Sequence, residues 1–429
     1  MDSRYTIKED LTDNLMQCPN CNKTIPVHDG FVSWCHKCHW NINPSNTTKP
    51  ETAFEKLYYK LSRKYTTSLF EQMKASKELK PNFTLSMWVT YLISFFIHGI
   101  TLITSILSIA LIILGRHYIP VVIIGIFLLL ISYFLIPKPN RFDKKLSCKK
   151  ECSELFSLIN DIANSLNAPQ IDDLVITEDF NAFYYQYGIR QKRVMGIGLP
   201  LFNILTSEEK VALISHELSH GINKDIQRDY VVNTALNALE HWYYFVIPDN
   251  IENAADPFVV LRIPINILLL GLSKIILGLY YAIQSLSWYN SQRAEYLADY
   301  YATMACGTDA MISLSNKICF SDTLDHTIRS YTFNPTKNSL LKEFNKNISS
   351  TPEREVERVK LVELHENSRL DRTHPPILYR IKFIKNHYIK DKGFVLDEER
   401  AAVLNKELST IQSEIEKSLV NKYRINYLN

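Results

Sequence analysis

Apolar and polar positions are unevenly spread along this chain. Residues 87–114 and 118–136 contain no Asp, Glu, Lys or Arg and are strongly apolar. About 20 such residues cross a bilayer, so both runs predict membrane-spanning helices rather than buried core helices. Only Gly115, Arg116 and His117 separate them, and Pro137 ends the second, so they predict a transmembrane hairpin. Helical spacing recurs on both sides. Phe54, Leu57, Tyr58, Leu61 and Tyr65 share a face and predict an amphipathic connector within 51–86. Leu155, Phe156, Ile159, Ile162 and Leu166 predict another amphipathic helix. Short strands are expected at 174–177 and 193–199. The second carries Gly196 and Gly198, which mark close approach of another backbone.

A strong helix start follows. Thr206 and Glu209 form a capping box, and Val211, Ala212, Leu213 and Ile214 carry that helix into an apolar interior. Residues 229–247 are apolar but hold Asn233, Asn237, Glu240 and His241, which predicts a buried or cavity-facing helix. Residues 263–289 are more apolar still, split by Lys274. The part from 275 to 292 fits either a further span or a helical core. In the tail, Val403, Leu404, Leu408, Ile411, Ile415 and Leu419 make the stripe of a docked helix. The pattern predicts a mainly α protein with a small β-sheet, of the α+β class.

Charge orients the hairpin. Lys74, Lys77 and Lys80 precede it, and Lys138, Arg141, Lys144, Lys145, Lys149 and Lys150 follow, while the loop holds only Arg116 and a histidine. The positive-inside tendency then places both ends on the cytoplasmic side of an inner or plasma membrane. Overall, 48 Lys and Arg stand against 45 Asp and Glu, which gives no argument for a nucleic-acid partner. The first residues are polar and predict no cleavable signal peptide. Of eight cysteines, four form two CxxC pairs and the rest are scattered. That is not a disulfide framework, and it fits a reducing compartment, in agreement with the charge argument.

Cys18, Cys21, Cys35 and Cys38 have the grouping of a tetrahedral zinc site made of four thiolates. Asn22, Gly30 and Ser33 are turn residues, and Val27, Phe31 and Val32 lie between them, the make-up of a ribbon of short strands. So small a piece is held folded by its metal. With four thiolates and no open position, this zinc is structural. His36 and His39 are read as bystanders. The expected zinc ribbon, residues 1–50, is a separate module behind a polar linker at 41–50.

The second metal motif is His216-Glu217-Leu218-Ser219-His220. Residues four apart share a helix face, so His216 and His220 can present imidazoles to one ion. Two imidazoles suit zinc, and a catalytic zinc takes three protein ligands and a water. Glu217 stands beside the first ligand, where a carboxylate serves as general base toward that water. A third ligand must come from elsewhere. In the segment from Arg293 to Asp299, Glu295 and Asp299 are four apart. A site of two histidines and one glutamate needs such a carboxylate, and Asp299 would then hold an imidazole by its second nitrogen. A solvent-exposed acidic pair is the other reading. His374 lies in a Pro-rich turn ahead of a helical run at 377–386.

These residues, in this order, resemble one family. Asn181-Ala182-Phe183, the HELSH motif, RAEYLAD, and THPP followed by Arg380 are similar to the HtpX-like and CAAX-prenyl-protease-like membrane zinc metallopeptidases over about residues 142–386. A hairpin ahead of the domain also resembles HtpX. The resemblance implies a zincin-type domain at 142–390 with a carboxyl-terminal helix at 391–429. It implies zinc on His216, His220 and Glu295, and Glu217 as the base. It further implies Asp299 in support, His374 aiding the oxyanion, and Arg380 near the site. Asn181, Ala182 and Gly196 are the expected substrate-binding residues, with strand 194–199 pairing an extended polypeptide. Ser219 stands where the family often has glycine, and the ribbon lies outside the common core. The expected protein is a membrane-anchored zinc endopeptidase with one catalytic and one structural zinc, and the resemblance places it in membrane-protein quality control. Two rivals are a prenyl-peptide protease, which needs a large membrane chamber, and a ribbon-bearing adaptor with an inactive peptidase domain.

Overall fold

Local signals set the central helix. The Thr206 amide donates to Glu209 Oε2 at 2.7 Å and the Glu209 amide donates to Thr206 Oγ1 at 3.4 Å, so two otherwise unpaired groups satisfy each other. The computed structural model describes residues 15–43, 53–76, 79–80, 83–135, 143, 146–188, 190–223, 225–248, 259–366 and 374–427. Segment 1–14, most of the polar linker, Lys77, Ile136, Pro137, Lys138, Arg141, Lys144, Lys145 and Thr373 lie outside these residues.

The described chain begins with β1 (Leu15–Gln17) and β2 (Thr24–Pro26), an antiparallel hairpin. Next come α1 (Ala53–Ala75), α2 (Leu85–Leu114), α3 (Ile119–Leu135) and α4 (Ser153–Ser165). A three-stranded sheet is built from β3 (Asp173–Thr177), β4 (Ala182–Tyr187) and β5 (Lys192–Gly198). After it come α5 (Leu199–Asn203), the central α6 (Ser207–Ile222), α7 (Asp225–Val246) and α8 (Val259–Cys306). The remainder is α9 (Thr308–Ile318), α10 (Ser321–Phe333), α11 (Leu340–Ser349), α12 (Glu353–Glu366), α13 (Ile377–Asn386) and α14 (Glu398–Tyr427). The protein is mainly α with small sheets.

In the sheet, β5 is central, parallel to β3 and antiparallel to β4. This corrects the expectation that strand 194–199 accepts a substrate strand, because both its edges are already paired. Among the described residues the outer edge of β4 is the one facing the cavity. A Cβ at Gly198 would lie 1.8 Å from the Asp179 carbonyl oxygen, the close backbone approach expected of a strand glycine. At Gly196 the neighbour is instead the Phe183 ring, 2.0 Å from such a Cβ.

The main core packs α4, α6, α9 and α14 with the sheet and the carboxyl-terminal part of α8, around Leu158, Ile162, Ile214, Leu218 and Tyr296. Cys152 gives α4 no side-chain cap, so its first amides need another acceptor. Glu407 of α14 supplies it, accepting from Glu154 and Leu155 at 2.9 and 3.0 Å.

Helices α2 and α8 are long and apolar enough to cross a membrane. Their apolar side chains face outward, with Leu92 and Leu268 each 72% exposed, whereas a core helix would bury them. The shorter α3 packs on α2, where Ser105 and Ser132 hydroxyls meet. Small Gly125 lets the helices close there, since a Cβ would lie 3.1 Å from the Ser108 carbonyl. Thr84 and Ser86 donate to Asn290 Oδ1 at 3.0 and 2.9 Å, fixing the start of α2 to α8. Helix α7 departs from the buried alternative expected of it, while its Val232 lines the cavity described below. It packs Val232, Ala235, Leu239 and Trp242 inward, while Asn233, Asn237, Glu240 and His241 are exposed. The polar positions fall on one face, so α7 is an amphipathic flank rather than a buried helix.

The amino-terminal unit also differs from a freely tethered module. Residues 27–43 form turns, without the further strands expected near Val27, Phe31 and Val32. Arg354 of α12 lies over the Trp34 ring, 4.7 Å from its centroid, and donates to the Trp34 carbonyl. Arg358 donates to the Ile42 carbonyl at 2.7 Å.

Candidate metal centre and active site

Helix α6 is anchored at its start by Glu209, which also accepts from Ser313 and Lys317, each at 2.6 Å. The acidic member of its capping box therefore ties it to α9. Ten residues on from Thr206, His216 reaches the cavity wall, followed by Glu217 and His220. The two imidazole centroids are 5.1 Å apart at 86°. Helix α8 brings Glu295 opposite, with His216 Nε2 3.5 Å from Glu295 Oε2 and His220 Nε2 3.6 Å from Glu295 Oε1. Donors at 2.0–2.1 Å from a tetrahedral ion stand about 3.4 Å apart, so these three groups have the spacing for one metal. Their ligand atoms all lie within 4.8 Å of one another. Glu295 is buried, and its Oε2 has no aligned hydrogen bond although His374 Nδ1 is 2.9 Å and Arg380 Nη1 3.4 Å away. A buried carboxylate oxygen left in this way fits a metal-binding role.

One turn along α8, Asp299 Oδ1 lies 3.1 Å from His216 Nδ1. Arg380 of α13 grips the same carboxylate from the other side, through Nε at 2.8 Å and Nη2 at 2.6 Å. Burial works against the charge of Arg380, but Asp299 and Glu295 outweigh it and raise its pKa. The chain Arg380–Asp299–His216 orients one imidazole toward Glu295.

Burial also opposes a charged His216, yet the flanking Asp299 and Glu295 push its pKa up to about 10. In the metal-free protein His216 therefore holds a proton at neutral pH. A ligating imidazole must be neutral, so metal displaces that proton. Affinity is expected to rise with pH, roughly tenfold per unit, until about pH 10. Metal titrations at two pH values a unit apart check this, and equal affinities would show that no proton is displaced. By the same sign, the contribution of His216 to the metal-free fold is fully present below the ordinary histidine pKa of about 6.5 and is lost as pH climbs through about 10.

A cavity of about 720 Å³ joins these groups. His216, Glu217, His220 and Glu295 form one wall. Residues 180–184, leading into and along β4, form a second, so Asn181 and Ala182 line the cavity as expected. His374 and Arg380 close a third side. Gly196 is not among the lining residues; the Phe183 ring covers it. Sequence reasoning missed Glu363 of α12, Met87, Thr90 and Tyr91 of α2, and the apolar patch of Met311, Leu314 and Ile318. Glu363 stood in a charged stretch and the α2 residues in an apolar run, so neither carried a signal.

The four amino-terminal cysteines converge independently. Cys18 and Cys38 Sγ are 3.5 Å apart, as are Cys21 and Cys35 Sγ. Thiolates at about 2.3 Å from a tetrahedral zinc stand about 3.8 Å apart. The Cys38 amide draws the Cys35 thiol down to about 6, which favours the ligating thiolate. Cys18→Ser together with Cys35→Ser is expected to remove one metal ion per chain, read by metal analysis, and to expose Trp34, read by its fluorescence. Unchanged metal content would count against the site.

The model of the family described as Peptidase family M48 matches residues 149–388. That stretch takes in both histidines, Glu295, Asp299, His374 and Arg380. Comparison with curated proteins and with solved structures gives no match.

Proposed function

The chain belongs to peptidase family M48, a family of zinc-dependent metallopeptidases, and we propose that it acts as a membrane-anchored zinc endopeptidase of the HtpX-like kind. The observation that carries this reading is the convergence of His216, His220 and Glu295 beside Glu217 on one cavity wall.

In this reading the two histidines and Glu295 hold the catalytic zinc. When bound there, zinc supplies Lewis-acid polarisation of the scissile carbonyl and acidifies a water. Glu217 takes the proton from the attacking water and returns it to the leaving amine. Asp299 and Arg380 keep His216 in its ligating tautomer. His374, on the open side, donates toward the oxyanion as charge develops. An extended polypeptide lies along residues 181–184, at the free edge of β4. Cys18, Cys21, Cys35 and Cys38 hold a second, structural zinc.

Membrane anchoring is supported by the outward apolar faces of α2 and α8, which a lipid bilayer would cover. Met87, Thr90 and Tyr91 at the base of α2 also line the cavity, so the site sits beside the apolar layer. That placement fits polypeptides at the membrane surface and a quality-control role. Charge bias puts ribbon and peptidase on the cytoplasmic side of an inner or plasma membrane. Purified full-length protein in detergent is expected to digest casein, to stop on chelation and to resume with zinc. Digestion indifferent to chelator would sink the reading. Vesicles washed with alkaline carbonate should retain the protein, and its release would remove the anchor.

A further inference from the structure

Helix α12 touches both candidate metal sites. Its first half carries the ribbon, through Arg354 on Trp34 and Arg358 on Ile42. Trp34 is fully buried, and Glu355 holds the Arg358 guanidinium at 2.8 and 2.7 Å. The middle of the helix is fixed to α9, where Lys360 Nζ donates to Asn316 Oδ1 at 2.9 Å. The second half carries Glu363 into the cavity wall.

There Glu363 Oε2 accepts the amide of Ile377 at 3.3 Å. Ile377 opens α13, whose N-cap residue is Pro376, with no side chain able to cap. The first amides of a helix lack partners within it, and a carboxylate at that end also meets the favourable end of the helix dipole. A neighbouring helix thus caps α13. This helix carries Arg380, with His374 just ahead of it, and both reach Glu295.

We propose that Glu363 is a positioning residue for the active site, and that the docked ribbon sets its place. The ribbon clamps α12 at Arg354 and Arg358, and α12 holds the start of α13 so that His374 and Arg380 stay over Glu295. Residues 354 and 363 are about 14 Å apart along a helix, a short and stiff link. The proposal rests on the roles assigned above to His374 and Arg380, and it gives the ribbon a task beyond its own stability.

The test uses full-length protein in detergent as parent, Glu363→Ala, Glu363→Gln, the pair Arg354→Ala with Arg358→Ala, and the triple variant. Metal content, kcat and KM on a casein-derived peptide, and amide hydrogen exchange are read in each. All should retain both metals. Glu363→Ala should lose about tenfold or more in kcat, with KM within about twofold, because support of this kind is typically worth 10–100-fold. Glu363→Gln should recover most of that, since its amide oxygen still accepts from Ile377. The arginine pair should speed exchange in α12 and at residues 377–380. The triple variant should be no slower than Glu363→Ala alone, the non-additivity of residues acting in one line.

Parental kcat and parental exchange in Glu363→Ala would overturn the proposal, as would loss of its catalytic metal. So would undocking that frees residues 15–43 while exchange at 377–380 stays parental, or effects that simply multiply. Exchange is read whether or not the peptide is cut. A parent that hydrolyses nothing would therefore count against the endopeptidase reading, while exchange still decides this one.

Discussion

Glu217→Gln is expected to keep the metal content of the parent and to lower casein hydrolysis by about 10²–10⁴-fold, the range that positioned acid–base groups contribute. The amide is nearly the size of the carboxylate, so the packing around this buried side chain survives. Metal retention follows because the converging donors are His216, His220 and Glu295, and Glu217 is not one of them. What the amide cannot do is accept a proton and give it back. Metal analysis and a single-turnover assay on the same preparation decide the matter. Hydrolysis near the parental rate, with metal in place, would remove Glu217 from its role.

Glu295→Ala and Asp299→Ala are expected to fail in different ways. Without Glu295 only two imidazoles remain, and the catalytic metal should be lost with all hydrolysis. The fold should survive, because Arg380 keeps its two bonds to Asp299. Without Asp299 the buried guanidinium keeps Glu295, at 3.4 Å, and the more distant charge of Glu363, and loses both of its close carboxylate bonds. Removing one partner of a buried pair typically costs about 3–5 kcal/mol, so Asp299→Ala should melt well below the parent. Its metal affinity should also weaken about 10–100-fold, since His216 loses its orienting group. Asp299→Asn, which keeps an acceptor for Arg380, should recover part of both losses. Thermal melts and metal content at low free zinc separate the two. Full metal on Glu295→Ala beside none on Asp299→Ala would exchange the assignments of ligand and support.

The parts of the site legible in the sequence are those encoded by short spacings. His216 and His220, Glu295 and Asp299, and Thr206 and Glu209 are each three or four residues apart, and helical geometry alone puts each pair together. The four cysteines are read in the same way. What pairs with what across the fold is not local. β5 looked like a free strand, but β3 and β4 take both its edges. β4 itself went unread because Tyr184, Tyr185 and Tyr187 are aromatic on both faces, which hides its alternation. Glu363 looks like any surface acid until α13 is found to lack a cap. The ribbon's linker suggested independence, while Arg354 and Arg358, more than 300 residues away, dock it. The exposed polar face of α7 is likewise decided by which neighbours it packs against.

The cap that α14 places on α4 has a consequence for the order in which the protein is made. Glu407 reaches back across 253 residues to the Glu154 amide, and Leu404, Leu408 and Leu419 of the same helix complete the core. Translation at about 5–20 residues per second leaves roughly 10–50 s between the two ends of that contact. During this interval α8 is itself still being made, α4 is uncapped and the core is open on one side. The peptidase core then closes only after α14 has been made, well after α6 and α8 have supplied the residues of the candidate metal centre.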